Sequence, residues 1–445
     1  METRLGRFGR VVYQISDRLL TVLALATAAS APFYGLGELR ADLVGSAATP
    51  PLASLAVLCL GLGLASRSLL RRDFVWIEPA KLAWSDFTDT RVIGIGRRLW
   101  AVWAIRFVVV AYLTLAATLV VAGSLRWLPV GIALFAATAL LALVTARRRP
   151  GRGLRWVEQV GALLFAVLAG VLAVTTVGLG WLWLVVGLAG VGVLVAAVGS
   201  GRPRRPRAAS TAGRAELVAN FGERLARRMS VLFLDLLALL PAARPLPWPR
   251  LLAGRAVLAR FVVAGALARR ASLVLALLLV WAVAVVRLVF PLLDPVWLVG
   301  VGAYFAALPF AAALAQVRRV PGLRRWLGCT DPELRLTTAA LVLIVTVLWL
   351  LVVALFGVPL TLGTGLAALL AAGAVVRTVG RPAMDYGNVG VAVSPDGNLV
   401  PTGLIVQLAR GPEVLVIGLI VAGSGLAPGV VLLVVLGLAI FGTLH

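Results

Sequence analysis

GALLFAVLAGVLAVTTVGLGWLWLVVGLAGVGVLVAAVGS, residues 161–200, runs for 40 positions without an Asp, Glu, Lys or Arg. A helix rises 1.5 Å per residue and needs about 20 apolar residues to cross a hydrocarbon layer, so this block is about twice one span. Thr175, Thr176, Gly178 and Gly180 mark its turn, and it reads as two helices.

Working outward, similar blocks occupy 19–37, 51–66, 99–123 and 128–146, and 337–376 repeats the double-length pattern with a turn near Pro359 and Gly363. Residues 271–290 and 295–316 form another pair, separated by Leu292, Leu293 and Asp294. The last block, 414–445, is broken by Ser424, Gly425 and Pro428 and reads as a hairpin rather than one long helix. The expectation is an all-α integral membrane protein of about twelve transmembrane helices.

Composition agrees. The 445 residues are 61% hydrophobic and 13% charged, against about half and a quarter in soluble domains. The net charge of +24 is concentrated between apolar blocks, so it points to topology and not to nucleic acid. With the N-terminus inside, the segments 1–18, 67–98, 147–155, 201–270, 317–336 and 377–413 hold 38 of the 42 basic residues. Positive loops are retained in the cytoplasm, so the N-terminus is expected there. The lead before Ala26–Ala31 is signal-peptide-like but long, and Val11, Val12 and Ile15 favour an amphipathic helix on an anionic inner leaflet. Cys59 lies in an apolar block and Cys329 in a basic loop, so no disulfide is expected.

The organisation reads as two fused six-helix halves, 1–200 and 271–445, joined by a basic linker at 201–270. Trp84, Thr88 and Asp89 in the first half are echoed at identical spacing by Trp326, Thr330 and Asp331 in the second. These six are the candidates for contact with a cytoplasmic partner, because aromatic and charged side chains mix there as they do at interfaces. The blander reading is that Thr-Asp caps a helix. Arg106 and Arg287 are the charges inside spans, candidates by default, though each is near enough to a helix end to snorkel. In the loop 377–413, an extended run from Tyr386 to Val393 followed by Ser394-Pro395-Asp396-Gly397 suggests a β-hairpin, then an amphipathic segment from Thr402 to Arg410.

Absences restrict the chemistry. One lysine, Lys81, leaves no GxxxxGK[ST] phosphate loop, and the sole histidine, His445, provides neither a zinc site nor a triad. Catalytic, cofactor and metal residues are therefore expected to be none. No carboxylate falls in the middle of an assigned span, which disfavours an ion-coupled carrier.

Pro79-Ala80, Trp84 and Arg91, Arg324-Arg325 before Leu327 and Leu336, Asp385-Tyr386-Gly387, Pro401-Thr402-Gly403-Leu404 and Arg410-Gly411-Pro412 resemble a family of multi-pass bacterial proteins regarded as ABC transporter permeases, often found beside an ABC ATPase subunit. Ser394-Pro395-Asp396-Gly397-Asn398 departs from that family. The resemblance implies a permease in the bacterial plasma membrane, an exporter partnered by a separate ATPase chain, without a substrate. The competing expectation is a non-transporting membrane scaffold.

Overall fold

The computed structural model describes residues 30, 34–45, 52–70, 76–85, 105, 107–121, 131–135, 152–174, 214–232, 243, 256–381, 391–393, 399–401, 409–424 and 426–444. The helices are α1 (Leu36–Leu43), α2 (Ala53–Leu70), α3 (Pro79–Ser85), α4 (Phe107–Val121), α5 (Arg152–Val174), α6 (Arg214–Leu232), α7 (Val257–Ala268), α8 (Leu273–Val289), α9 (Pro295–Ala307), α10 (Ala312–Arg319), α11 (Pro321–Leu327), α12 (Asp331–Ala354), α13 (Leu362–Gly380), α14 (Pro412–Gly423) and α15 (Pro428–Leu444). A 3₁₀ turn, Leu308–Ala311, joins α9 to α10. Among the described residues one antiparallel pair, β1 (Val391–Val393) and β2 (Leu399–Pro401), stands between helices.

Among the described residues, four helical segments are long and apolar enough to cross a membrane: Arg270–Val289, Pro295–Arg318, Asp331–Ala354 and Leu362–Gly380. All four lie in the second half; the expected spans at 19–37 and 128–146 and the second helix of 161–200 fall largely outside the described residues. The segments α2, α4, α7, α14 and α15 are apolar but shorter. Helix α12 illustrates the outer surface: Leu336, Ile344, Leu348 and Leu351 are exposed along it, and so is Leu355 at its C-cap. Apolar side chains on the outside of a bundle suit a lipid solvent and not water.

The second half is built around α13. Its buried residues include a run of small ones, Ala367, Ala368, Ala371, Ala372, Gly373 and Ala374, set among Leu366, Leu370, Val375, Val376 and Val379, so neighbouring backbones can approach closely along that run. A Cβ on Gly373 would stand 2.9 Å from the Ala439 carbonyl oxygen of α15, and one on Gly418 of α14 would meet Leu370 at 2.4 Å. On the other side, Trp349 of α12 fills the space left by Gly302 of α9, and its indole N–H donates to the Ala276 carbonyl of α8 at 3.0 Å. Buried Thr338 and Thr378 satisfy their hydroxyls on the carbonyls four residues back, at 2.8 and 2.7 Å, which keeps polar atoms paired within their own helix.

Chain direction follows from which ends meet. Gly45 abuts Leu292, Gly363 abuts Val296, and Gly423 abuts Asp294. Ala53 at the start of α2, Val121 at the end of α4, Ala173 at the end of α5 and Val289 at the end of α8 share one buried cluster. The expected outer turns thus gather at one end of the molecule. Arg335 meets Leu444 and Arg377 meets Glu413 at the other, here called the basic end. The block 414–445 is a hairpin: α14 leaves the basic end and α15 returns to it.

Several boundaries differ from expectation. Helix α1 lies where an outer loop is read, and α5 begins nine residues before the uncharged block, at Arg152. The segment 201–270 contains α6 and α7, and Val262 of α7 belongs to the main buried cluster, with Gly265 against Ala313. The second-half bundle therefore starts at Val257. Trp76 stacks on Phe221 of α6 with ring centroids 5.5 Å apart, and the Arg224 guanidinium lies 4.6 Å over the indole, so α6 is folded onto the loop preceding α3. The amphipathic starts at 1–18 and 402–408 lie outside the described residues.

Replacing Gly373 with Leu forces α15 off α13. Overpacking of this kind costs about 1–3 kcal/mol, and a drop in the thermal midpoint of the detergent-solubilised protein is expected, with Gly365→Leu, which has open space around it, as the tolerant control.

Candidate functional site

At the basic end, three helices bring polar side chains together. Gly411 has φ of 110°, a left-handed geometry that glycine tolerates, and a Cβ there would overlap Thr378 of α13. That close approach, followed by Pro412 in the first turn of α14, sets Glu413 beside Arg377. Arg377 Nε donates to Glu413 Oε1 at 2.7 Å, with side-chain exposures of 14% and 29%, and its guanidinium lies 4.3 Å over the Phe441 ring of α15. Glu413 also occupies the positive end of the α14 dipole, while its Oε2 is buried without a hydrogen bond.

One step deeper, the Tyr304 hydroxyl of α9 is 2.9 Å from Thr378 Oγ1. The Thr378 proton is already given to the Ala374 carbonyl, so Tyr304 is the donor and the bonds run Tyr304 to Thr378 to Ala374. The pair ties α9 to α13 at the level where Arg377 and Glu413 tie α13 to α14.

Beside this lies the Asp331 cluster. Thr330 precedes α12 with extended φ and ψ of −82° and 158°, Pro332 is in the first turn, and the Thr330 N–H donates to Glu333 Oε2 at 2.9 Å. Asp331 is held by Arg318 Nη2 at 3.6 Å and Arg324 Nη1 at 3.1 Å. Arg318 Nη1 donates in turn to the Gly380 carbonyl at the end of α13. Arg335 Nη1 donates to the Leu444 carbonyl at 2.7 Å.

The candidates from sequence are distributed as follows. Thr330 and Asp331 have internal duties, one as a cap and one as an ion-pair centre, whereas Trp326 on α11 is 74% exposed. Trp84 lies in α3, and Thr88, Asp89 and Arg106 lie outside the described residues. The structure adds to the echo: α3 and α11 are both seven-residue helices that begin at proline and carry tryptophan in the sixth place. Arg287 donates to the carbonyls of Pro291 and, at 3.4 Å, Leu293, closing the turn beyond α8. Cys59 and Cys329 are both free thiols.

Sequence reasoning misses Tyr304, Arg377, Thr378 and Glu413, because charge alone ends the helix at 376 and puts 377–413 in a loop. The available signal is Arg410-Gly411-Pro412-Glu413, a turn glycine and first-turn proline delivering a carboxylate to a helix start. Among the described residues no group of three or more His, Cys, Asp or Glu side chains is placed to hold a metal ion. Comparison with protein-family models, curated proteins and solved structures finds no match.

A double-mutant cycle tests the Arg377 and Glu413 pair. Removing one partner of a partly buried pair leaves the other charge uncompensated, and each single alanine variant is expected to lose about 1–3 kcal/mol in reversible unfolding. The double variant should lose less than the two combined; full additivity would mean the pair is not coupled.

Proposed function

We propose that the chain is the membrane-spanning permease subunit of an ABC-type transporter, an exporter, working with a separate ATPase subunit in a bacterial plasma membrane. On this reading it has twelve spans in two six-helix halves, with the basic end and the N-terminus in the cytoplasm. It carries no catalytic, cofactor or metal site of its own.

The observation that supports this best is the matched pair of short helices α3 and α11. Each follows an arginine pair, Arg71-Arg72 or Arg318-Arg319, and each precedes Thr-Asp. A short helix ahead of a span, carrying a tryptophan at the same place in each half and exposed at Trp326, is suited to receive force from a cytoplasmic partner. On α11 that leaves exposed Trp326 as the contact residue, since Thr330 and Asp331 serve their own helix; Trp84, Thr88 and Asp89 would be their counterparts.

One observation favours a second reading. Glu413 with its unpaired buried oxygen is a carboxylate within the bundle end, the residue type an ion-coupled carrier needs and one the spans read from sequence lack. The scaffold reading has no such observation behind it.

Purification from the native membrane in mild detergent, with mass spectrometry of bound proteins and an ATP hydrolysis assay, separates these. A stoichiometric ATPase that is lost from a Trp84→Ala and Trp326→Ala double variant is the expected result. A chain that purifies alone but accumulates a solute in vesicles under a proton or sodium gradient would replace the permease reading with the carrier. In intact cells, an impermeant maleimide should label a cysteine at Gly357 and not one at Gly322; the reverse would invert the topology.

A further inference from the structure

Among the described residues, the basic end carries more positive charge than its carboxylates neutralise. Arg377 is matched by Glu413 and Glu333 is turned to the Thr330 N–H, which leaves Asp331 alone with Arg318, Arg324 and Arg335. Arg318 and Arg324 bind it directly, and Arg335 stands one helical turn beyond it on α12. The remaining bonds of Arg318 and Arg335 go to the neutral carbonyls of Gly380 and Leu444.

Two guanidinium groups on one carboxylate, with a third a helical turn away at Arg335, repel each other, and partial burial makes that repulsion larger than it is in water. Such an arrangement is stable when an anion supplies the missing charge. Guanidinium forks match phosphate oxygens in shape and in charge. With side-chain exposures of 21% for Arg318 and 48% for Arg324, the cluster is open to a ligand and not sealed in the core.

Its position identifies the source of the phosphate. Leu336, one residue after Arg335, is 53% exposed, and it begins the apolar outer face of α12 that continues through Ile344 and Leu348. A molecule lying on that face with its acyl chains would bring its headgroup to the arginines. We infer that Arg318, Arg324 and Arg335 form a binding site for the phosphate group of an anionic phospholipid. This rests on the membrane-spanning reading and is independent of whether an ATPase partner exists. Trp326 is not part of it.

The test uses the full chain in nanodiscs of phosphatidylglycerol or phosphatidylcholine, read by thermal unfolding. The wild-type protein should unfold several degrees higher in phosphatidylglycerol, and the Arg324→Gln and Arg335→Gln double variant should lose that difference. The matching double lysine variant should keep much of it, which a purely structural role for these arginines would not give. Lys81→Gln, which removes one exposed positive charge from α3, should behave as wild type. Equal midpoints in the two lipids, or a difference retained by the double glutamine variant, would overturn the site. Stabilisation by inorganic phosphate in phosphatidylcholine discs without any effect of phosphatidylglycerol would overturn the lipid assignment and leave a site for free phosphate.

Discussion

Everything in the second half depends on how thin α13 is. Where α13 is faced with alanine and glycine, from Ala371 to Ala374, it offers little to interdigitate with in the usual ridge-and-groove sense, and in lipid it gains nothing from hiding apolar surface, because the solvent is equally apolar. What it gains is proximity. With Gly373 against the backbone of Ala439 and Gly442, dispersion contacts between main chains replace those between side chains. Elsewhere in this half glycine is paired with bulk: Trp349 of α12 against Gly302 of α9, Leu419 of α14 against Gly300 of α9, and Leu370 of α13 itself against Gly418 of α14.

This arrangement confines polarity to the two ends. At one, Asp294 accepts from the Val296 N–H at 2.8 Å and caps α9, and Arg287 closes the adjoining turn. At the other, arginines outnumber acids and reach for helix-terminal carbonyls. Charged side chains here mostly complete helix ends, the positions where backbone groups have no intrahelical partner. Arg377 and Glu413 differ because they join two helices, and Tyr304 with Thr378 joins a third.

Much of the fold is readable because hydrocarbon imposes a length on apolar runs. The helix pairs around Leu292 and Pro359, the break at Ser424 to Ala427 and the hairpin at 391–401 are all written in Gly, Pro and charge placement. Helix ends are less readable. Arg377 looks like the start of a loop by charge alone, yet α13 continues to Gly380 because the guanidinium is neutralised by a residue 36 positions away. Likewise α6 gives no apolar block, since charged residues recur along it, yet Phe221 and Arg224 pack on Trp76. The candidate site is half legible: Thr330 and Asp331 as a cap can be read from spacing, but the partners of Asp331, and the meeting of Tyr304 with Thr378 across 74 residues, are facts of packing.

The pairing of Val391 with Pro401 divides the connection from α13 to α14 into two arms of equal length. Residues 381–390 lead from Gly380 into the ladder, and 402–411 lead out of it to Pro412. A load passing from α13 to α14 along the chain would be borne by three paired positions, Val391 with Pro401, Ala392 with Val400 and Val393 with Leu399.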